Sequence, residues 1–236
     1  MRYILQALLI FTVSLSVHAQ EADLFRQNID VHVDLVPLTF PDPAVRFGSE
    51  MMLGNRWSAG LNLGIGTYIF GGRRLVFPEP RWNKGYHLLE IRPEIKFYWY
   101  KRQRMGWYIA AEGLLSTMRG STGKSYHFSG DSDTLQINFD QADFQKTKLG
   151  LIGKVGGRFL MGERFTLDFF TGLGLSNTRS SYSNYVNPTF KRSDPFFEGE
   201  NYSVGKRITG HLSFGLRLGM IVWNKKGSSV RPIKTF

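Results

Sequence analysis

HLLEIRPEIKFYWY, residues 87–100, alternates almost without a break. Glu90, Arg92, Glu94 and Lys96 fall on one side of an extended chain, and Leu89, Ile91, Ile95, Phe97 and Trp99 on the other. Side chains of a strand point to opposite faces with period two. The fold therefore turns on which face meets water. In a soluble sheet the apolar face covers a core. In a membrane barrel it meets lipid and the charges point inward.

The chain has 236 residues, a net charge of +11, 26 glycines and no cysteine. Disulfide frameworks, thiol chemistry and Cys-based metal sites are excluded. The first residues, MRYILQALLIFTVSLSVHAQ, join a short basic start at Arg2 to an apolar stretch from Ile4 to Val17. Val17-His18-Ala19 offers a small-residue cleavage site, so residues 1–19 read as a signal peptide and 20–236 as a single domain. Beyond the leader no apolar run approaches the roughly 20 residues of a spanning helix. A mature chain that crosses a membrane must do so as a closed barrel.

Eight alternating segments follow, at about 29–37, 45–53, 57–69, 87–99, 107–117, 148–159, 165–175 and 208–222. Each is long enough to cross when tilted, since roughly 9–11 residues suffice. The connections sort by end. Gly54-Asn55-Arg56, the stretch with Lys101, Arg102 and Arg104, and Gly162-Glu163-Arg164 are short. The alternate set is longer: 38–44, 70–86, 118–147 and 176–207. Short turns at one end and long loops at the other are the habit of outer-membrane barrels.

Through seven segments the apolar set is odd-numbered, and in the eighth it moves to even positions from Ile208 to Val222. The opposite face carries Asp30, Asp34, Glu50, Glu90, Glu94, Glu112 and Asp168 against Arg46, Arg92, Lys96, Lys148, Lys154, Arg158 and Arg217. These seven acids and seven bases balance, as a closed interior requires, because an unpaired buried charge costs several kcal/mol. Gly60, Gly64, Gly66, Gly156, Gly172 and Gly174 share that face and make room for long side chains. Trp57, Trp99, Trp107 and Trp223 lie at segment ends on the short-turn side, the pattern of an interfacial aromatic girdle. The expected fold is all-β: an eight-stranded antiparallel up-and-down transmembrane β-barrel. Pro93 interrupts the opening stretch and predicts a bulge or one lost hydrogen bond.

With this pattern over residues 28–223, the chain resembles the small eight-stranded outer-membrane proteins of the OmpA/OmpX type. The last strand, Ser213-Phe214-Gly215-Leu216-Arg217-Leu218-Gly219-Met220, resembles the family's C-terminal assembly signal. The resemblance implies residence in the outer membrane of a Gram-negative cell and insertion by the barrel assembly machinery. The tail after Trp223, NKKGSSVRPIKTF, departs from the family's habit of ending on that strand and is too short for a peptidoglycan-binding domain.

Candidate chemistry is sparse. His32, His87, His127 and His211 do not share metal-ligand spacing, so no metal and no cofactor is expected. His211 and Ser213 share one strand face and resemble the His–Ser pair of outer-membrane lipid A deacylases. Their predicted position is interior, Phe214 stands where that family has Asn, and no acid follows. The inward charges read as an ion-pair plug rather than an ion path, since eight strands leave little lumen. Arg73, Arg74, Arg81 and Lys84 are placed to meet lipopolysaccharide phosphates. The Tyr- and Phe-rich stretch 181–202 suits a contact surface. Expected partners are outer-membrane lipid and lipopolysaccharide; nucleic acid is not expected. The expected function is structural or surface interaction through the long loops. The alternatives are a lipid A-modifying barrel enzyme and a soluble, secreted, ligand-binding β-barrel.

Overall fold

Period-two alternation becomes strand in the computed structural model, which describes residues 27–34, 36–39, 42–67, 82–129, 132–192 and 204–224. The strands are β1 (Asn28–Asp34), β2 (Val45–Met52), β3 (Trp57–Thr67), β4 (Trp82–Arg102), β5 (Met105–Thr122), β6 (Ser125–Ser129), β7 (Ser132–Phe139), β8 (Gln141–Met161), β9 (Phe165–Val186), β10 (Thr189–Arg192) and β11 (Gly205–Asn224). Eight of them form one antiparallel sheet in the ring order β1-β11-β9-β8-β5-β4-β3-β2. β1 closes the ring by pairing with β2 on one side and β11 on the other. The remaining three make a small separate sheet, β10-β7-β6. The ring is thus an up-and-down barrel with a β6–β7 hairpin inserted between β5 and β8, to which β10 from the β9–β11 connection adds a third strand. The leader and the tail from 225 lie outside the described residues, as does 68–81.

The faces divide as the alternation requires. In β8 the burial pattern alternates from exposed Leu149 and Leu151 to buried Ile152 and Lys154. Leu61, Leu63, Ile91, Ile95, Ile109, Leu173, Leu212 and Leu216 all stand exposed on the outer surface. Because β9 and β11 pair odd against even, as in Leu173↔Leu212, the parity change in the last strand keeps the apolar residues outside. From Leu149 to Phe159 on β8 the apolar band runs roughly 25 Å at ordinary barrel tilt, the height of a lipid-facing band.

Several boundaries differ from the sequence expectation, among them the start of β4, at Trp82 where 87 is expected. The first segment was expected to run through Pro37, but β1 stops at Asp34 and Val36–Thr39 form a 3-10 turn. Asp34 Oδ1 accepts the Val36 amide at 3.1 Å, and Pro37 has no amide to continue a ladder. The expected loops 118–147 and 176–207 are largely strand. β5, β8 and β9 extend their pairing past the apolar band, through Thr122↔Ala142 and Phe144↔Tyr182. Ser176, Thr178 and Ser180 take the buried positions there, so the alternation persists with polar residues on both faces and loses its hydropathy signal.

Pro93 produces no bulge. It sits opposite Leu61 on the β3 side without a register shift. On the β5 side the ladder skips Arg92 and Pro93 and resumes in register at Glu94↔Glu112. Gly113 meets the ring: a Cβ there would lie 3.1 Å from Pro93 Cγ. Gly113→Val should therefore destabilise the fold by about 1–3 kcal/mol through overpacking. Adding Pro93→Ala should recover part of that loss in denaturant unfolding of the refolded chain, whereas simple additivity would show that the two do not touch.

Candidate functional site: the filled interior and the long-loop end

All fourteen charged side chains expected inside are placed on the inner face. Thirteen join one network. Asp30 approaches Arg158 at 3.1 Å, and Arg158 Nη1 donates to Glu50 Oε1 at 3.0 Å. The Asp30 contact is Coulombic, since that Arg158 nitrogen is not aligned for a hydrogen bond. Lys96 Nζ donates to Glu50 at 2.7 Å and to Asp168 at 2.5 Å. Arg217 donates to Glu94 at 2.7 Å, and Lys154 donates to both Glu94 and Glu112. Arg92 then links Glu112 to Glu90, and Arg46 links Glu90 to Asp34. The path crosses the ring repeatedly, and of the eight ring strands only β3 contributes no charge to it.

Lys148 is the exception. It was expected in this network and instead pairs with Asp42 at 3.3 Å, beside Lys146 at 2.9 Å. The β1–β2 connection folds Asp42 over the end of β8, which alternation on the strands alone does not show. Burial works to raise the Asp42 carboxyl, but the two ammonium groups outweigh it and hold it well below the usual carboxylate range.

The sequence reading also missed the uncharged part of the filling. Met52, Tyr98, Tyr108, Leu160, Phe170 and Ile221 form a buried apolar cluster at the short-turn end. Ala44, Tyr86, Leu88, Met118 and Phe144 form another at the long-loop end. The ions lie between these two layers. Tyr98 donates to Glu50 at 2.9 Å and Tyr108 to Asp168 at 2.6 Å. Lys154 and Arg217 stand over the Phe170 ring at 4.1 and 4.4 Å. The inward glycines admit these groups: a Cβ at Gly64, Gly156 or Gly172 would strike Glu90, Tyr108 or Lys154. The signal for both layers was present as even-numbered Leu88, Tyr98, Tyr108, Met118 and Phe170 among the inward charges.

Trp57, Trp99 and Trp223 are exposed on the outer face at the short-turn end, and Trp107 is half-buried there between Phe159 and Phe169. Trp223 gains its outward position through a register shift between Ile29 and Asp30, where β11 turns both Val222 and Trp223 outward. Arg73, Arg74 and Arg81 lie outside the described residues; Lys84 stands on β4, but its side chain is outside them too. Ser213 is buried on the inner face and His211 is half-buried, with no hydrogen bond between them among the described residues.

Above the barrel, His127 stacks on Tyr182 at 4.8 Å and packs beside Phe139 and Tyr185. Its Nδ1 lies 3.1 Å from the Phe128 carbonyl, which can only accept, so the neutral ring carries its proton there. Nε2 lies 2.9 Å from the Tyr185 hydroxyl, whose one proton lies between that nitrogen and the Tyr182 carbonyl at 3.2 Å. Burial lowers the imidazole pKa, opposed in part by the Phe128 bond.

No family model matches the chain, and no match is found among curated proteins or solved structures.

Two outcomes follow from these contacts. Lys154→Met leaves Glu94 and Glu112 with one cation fewer in a buried site, and should cost about 3–5 kcal/mol; Lys154→Met with Glu112→Gln should cost less than the single change in denaturant unfolding. For His127 the folded pKa lies below the unfolded one, so its stabilising effect is complete above the unfolded value of about 6.5 and fades as pH falls below it. Protection factors of the β6 and β7 amides, corrected for the intrinsic pH dependence of exchange, should fall between about pH 7 and pH 5, and His127→Phe should remove that loss.

Proposed function

We propose that this chain is an integral outer-membrane β-barrel of the OmpA/OmpX-like kind, whose role is structural or one of surface interaction through its long-loop end, and not a wide pore. One observation carries the reading: the apolar side chains of an eight-stranded closed sheet face outward, while its centre holds thirteen ion-paired charges. Water gives no reason to expose Leu149, Leu151, Leu173, Leu175 and Ile208 together, because large contiguous apolar patches on soluble monomers are rare. Hydrocarbon does, and a closed sheet leaves no strand edge unsatisfied there. The tryptophans at one border support the same placement. On this reading the short-turn end is periplasmic, the small β6-β7-β10 sheet is external, and lipid and lipopolysaccharide are the surrounding partners.

The two apolar layers that bracket the ions speak against a conducting lumen. The buried, inward position of Ser213 weighs against acyl-chain chemistry, since an acyl substrate lies outside the ring. Lipid A mass spectra should accordingly be the same with the wild-type chain and with Ser213→Ala. The mature chain should require detergent or lipid to stay monomeric, and should migrate faster unheated than boiled in detergent gels. A well-folded monomer in plain buffer would overturn the proposal.

A further inference from the structure

On the outer surface the apolar band ends abruptly at one row of the sheet. Ile91, Leu115, Leu149, Asn177 and Ile208 are cross-strand neighbours in register through β4, β5, β8, β9 and β11. One step toward the long-loop end the corresponding row is Leu89, Thr117, Thr147, Arg179 and Lys206. All of these residues except Ile208, with Ser116 and Lys148, line a groove of about 500 Å³ that is apolar at Leu89, Ile91, Leu115 and Leu149 and polar at Thr117, Thr147, Asn177, Arg179 and Lys206. Arg179 and Lys206 are directly paired, so their cationic heads can reach one anion. Both are exposed, and neither forms an ion pair among the described residues. The first outward carboxylate above them on β8 is Asp143, which already accepts a hydrogen bond from Asn184 at 2.7 Å.

A second, independent feature lies directly below. Outward Gly210 flanks Leu175, and outward Gly153 flanks Leu173. A Cβ at Gly210 would meet nothing within 4 Å. The leucines beside these gaps are 64% and 72% exposed, among the most exposed apolar residues of the band. Gly210 thus opens a short furrow beside Leu175, bounded along β11 by Ile208 and Leu212, and Gly153 leaves a separate gap beside Leu173 on the β8 side.

We infer that this face binds a phosphorylated, acylated lipid of the external leaflet: Arg179 and Lys206 take the phosphate, Thr147 and Asn177 the polar backbone of the head group, and the Gly210 furrow an acyl chain. Arg supplies a two-pronged donor set matched to phosphate oxygens and Lys a mobile point charge. The charge is complementary and the apolar floor continues into the bilayer, so a membrane lipid fits both parts of the site, where a soluble anion would use the rim alone. The inference rests on the membrane reading above, because the furrow has an acyl occupant only if lipid surrounds it.

The test uses the mature chain reconstituted in phosphatidylcholine nanodiscs containing a small fraction of diphosphorylated lipid A or its dephosphorylated form, with bound lipid counted by native mass spectrometry. The wild type should retain the phosphorylated form preferentially. Arg179→Gln with Lys206→Gln should weaken that retention roughly tenfold, the loss of charge-assisted hydrogen bonds. Lys191→Gln with Arg192→Gln, an equal charge change on exposed β10, should leave it unchanged. Gly210→Leu should weaken retention of the lipid without altering charge. Equal retention by all variants in properly inserted barrels would overturn the site and leave the membrane barrel standing. Full displacement by water-soluble glucosamine phosphate would overturn the lipid assignment. A chain that does not insert would sink the membrane reading and the site together.

Discussion

Glu94 is held by Lys154 and Arg217, with Lys96 3.7 Å away, and these cations come from β8, β11 and β4. Glu50 in turn is held by Lys96 and by Arg158 of β8. A closed sheet with apolar residues outside has no apolar face left to form a conventional core along its whole length. Its strands must therefore be joined across the middle by groups that are polar and mutually satisfied. Ion pairs shielded from water are strong when complete and costly when broken. This makes the network a constraint on register as much as a source of stability: a one-residue slip of any strand would turn its charges outward and its leucines inward.

The opening stretch already carried most of this. Residues 87–99 show both faces, and the near balance of inward charge points to an enclosed space, although the shared network holds seven acids and six bases because Lys148 turns to Asp42. Parity was also legible: the shift to even positions at Ile208 is matched by the odd-to-even pairing of β9 with β11. What escaped the sequence did so for identifiable reasons. The β9 extension past Leu175 reads SNTRSSYSNYV, where both faces are polar and hydropathy has no period to show. Asp42 escaped because it lies on a connection, and its claim on Lys148 depends on how that connection folds back. The apolar end layers escaped because a few inward Leu, Met, Phe and Tyr residues among many charges look like noise in an alternating pattern.

Those end layers change the meaning of the charges. Tyr98, Tyr108 and Phe170 form a floor that is also a partner: the two phenols donate to Glu50 and Asp168, and the Phe170 ring faces Lys154 and Arg217. At the other end Tyr86 donates to the Pro43 carbonyl at 3.1 Å and packs with Leu88, Met118 and Phe144. The ion pairs are thus enclosed between two apolar layers. A lattice so enclosed is suited to specifying one closed arrangement of eight strands.

The outer surface follows a separate logic from the inner one, although the same strands carry both. On β9 the inward residues become uncharged at Gly172 and hydroxylated at Ser176, while the outward residues stay apolar through Leu175 and turn polar at Asn177 and Arg179. On β8 the inward side still holds Lys146 and Lys148 at the level where the outward side reaches Thr147. Beyond the row of Thr147, Arg179 and Lys206 the outward residues of β8 and β9 turn polar, while inside the ring Leu88, Met118 and Phe144 pack as an apolar layer. The outward change therefore has its own cause, and under the proposed membrane placement a bilayer surface carrying phosphate is the boundary that the cations at this row would match.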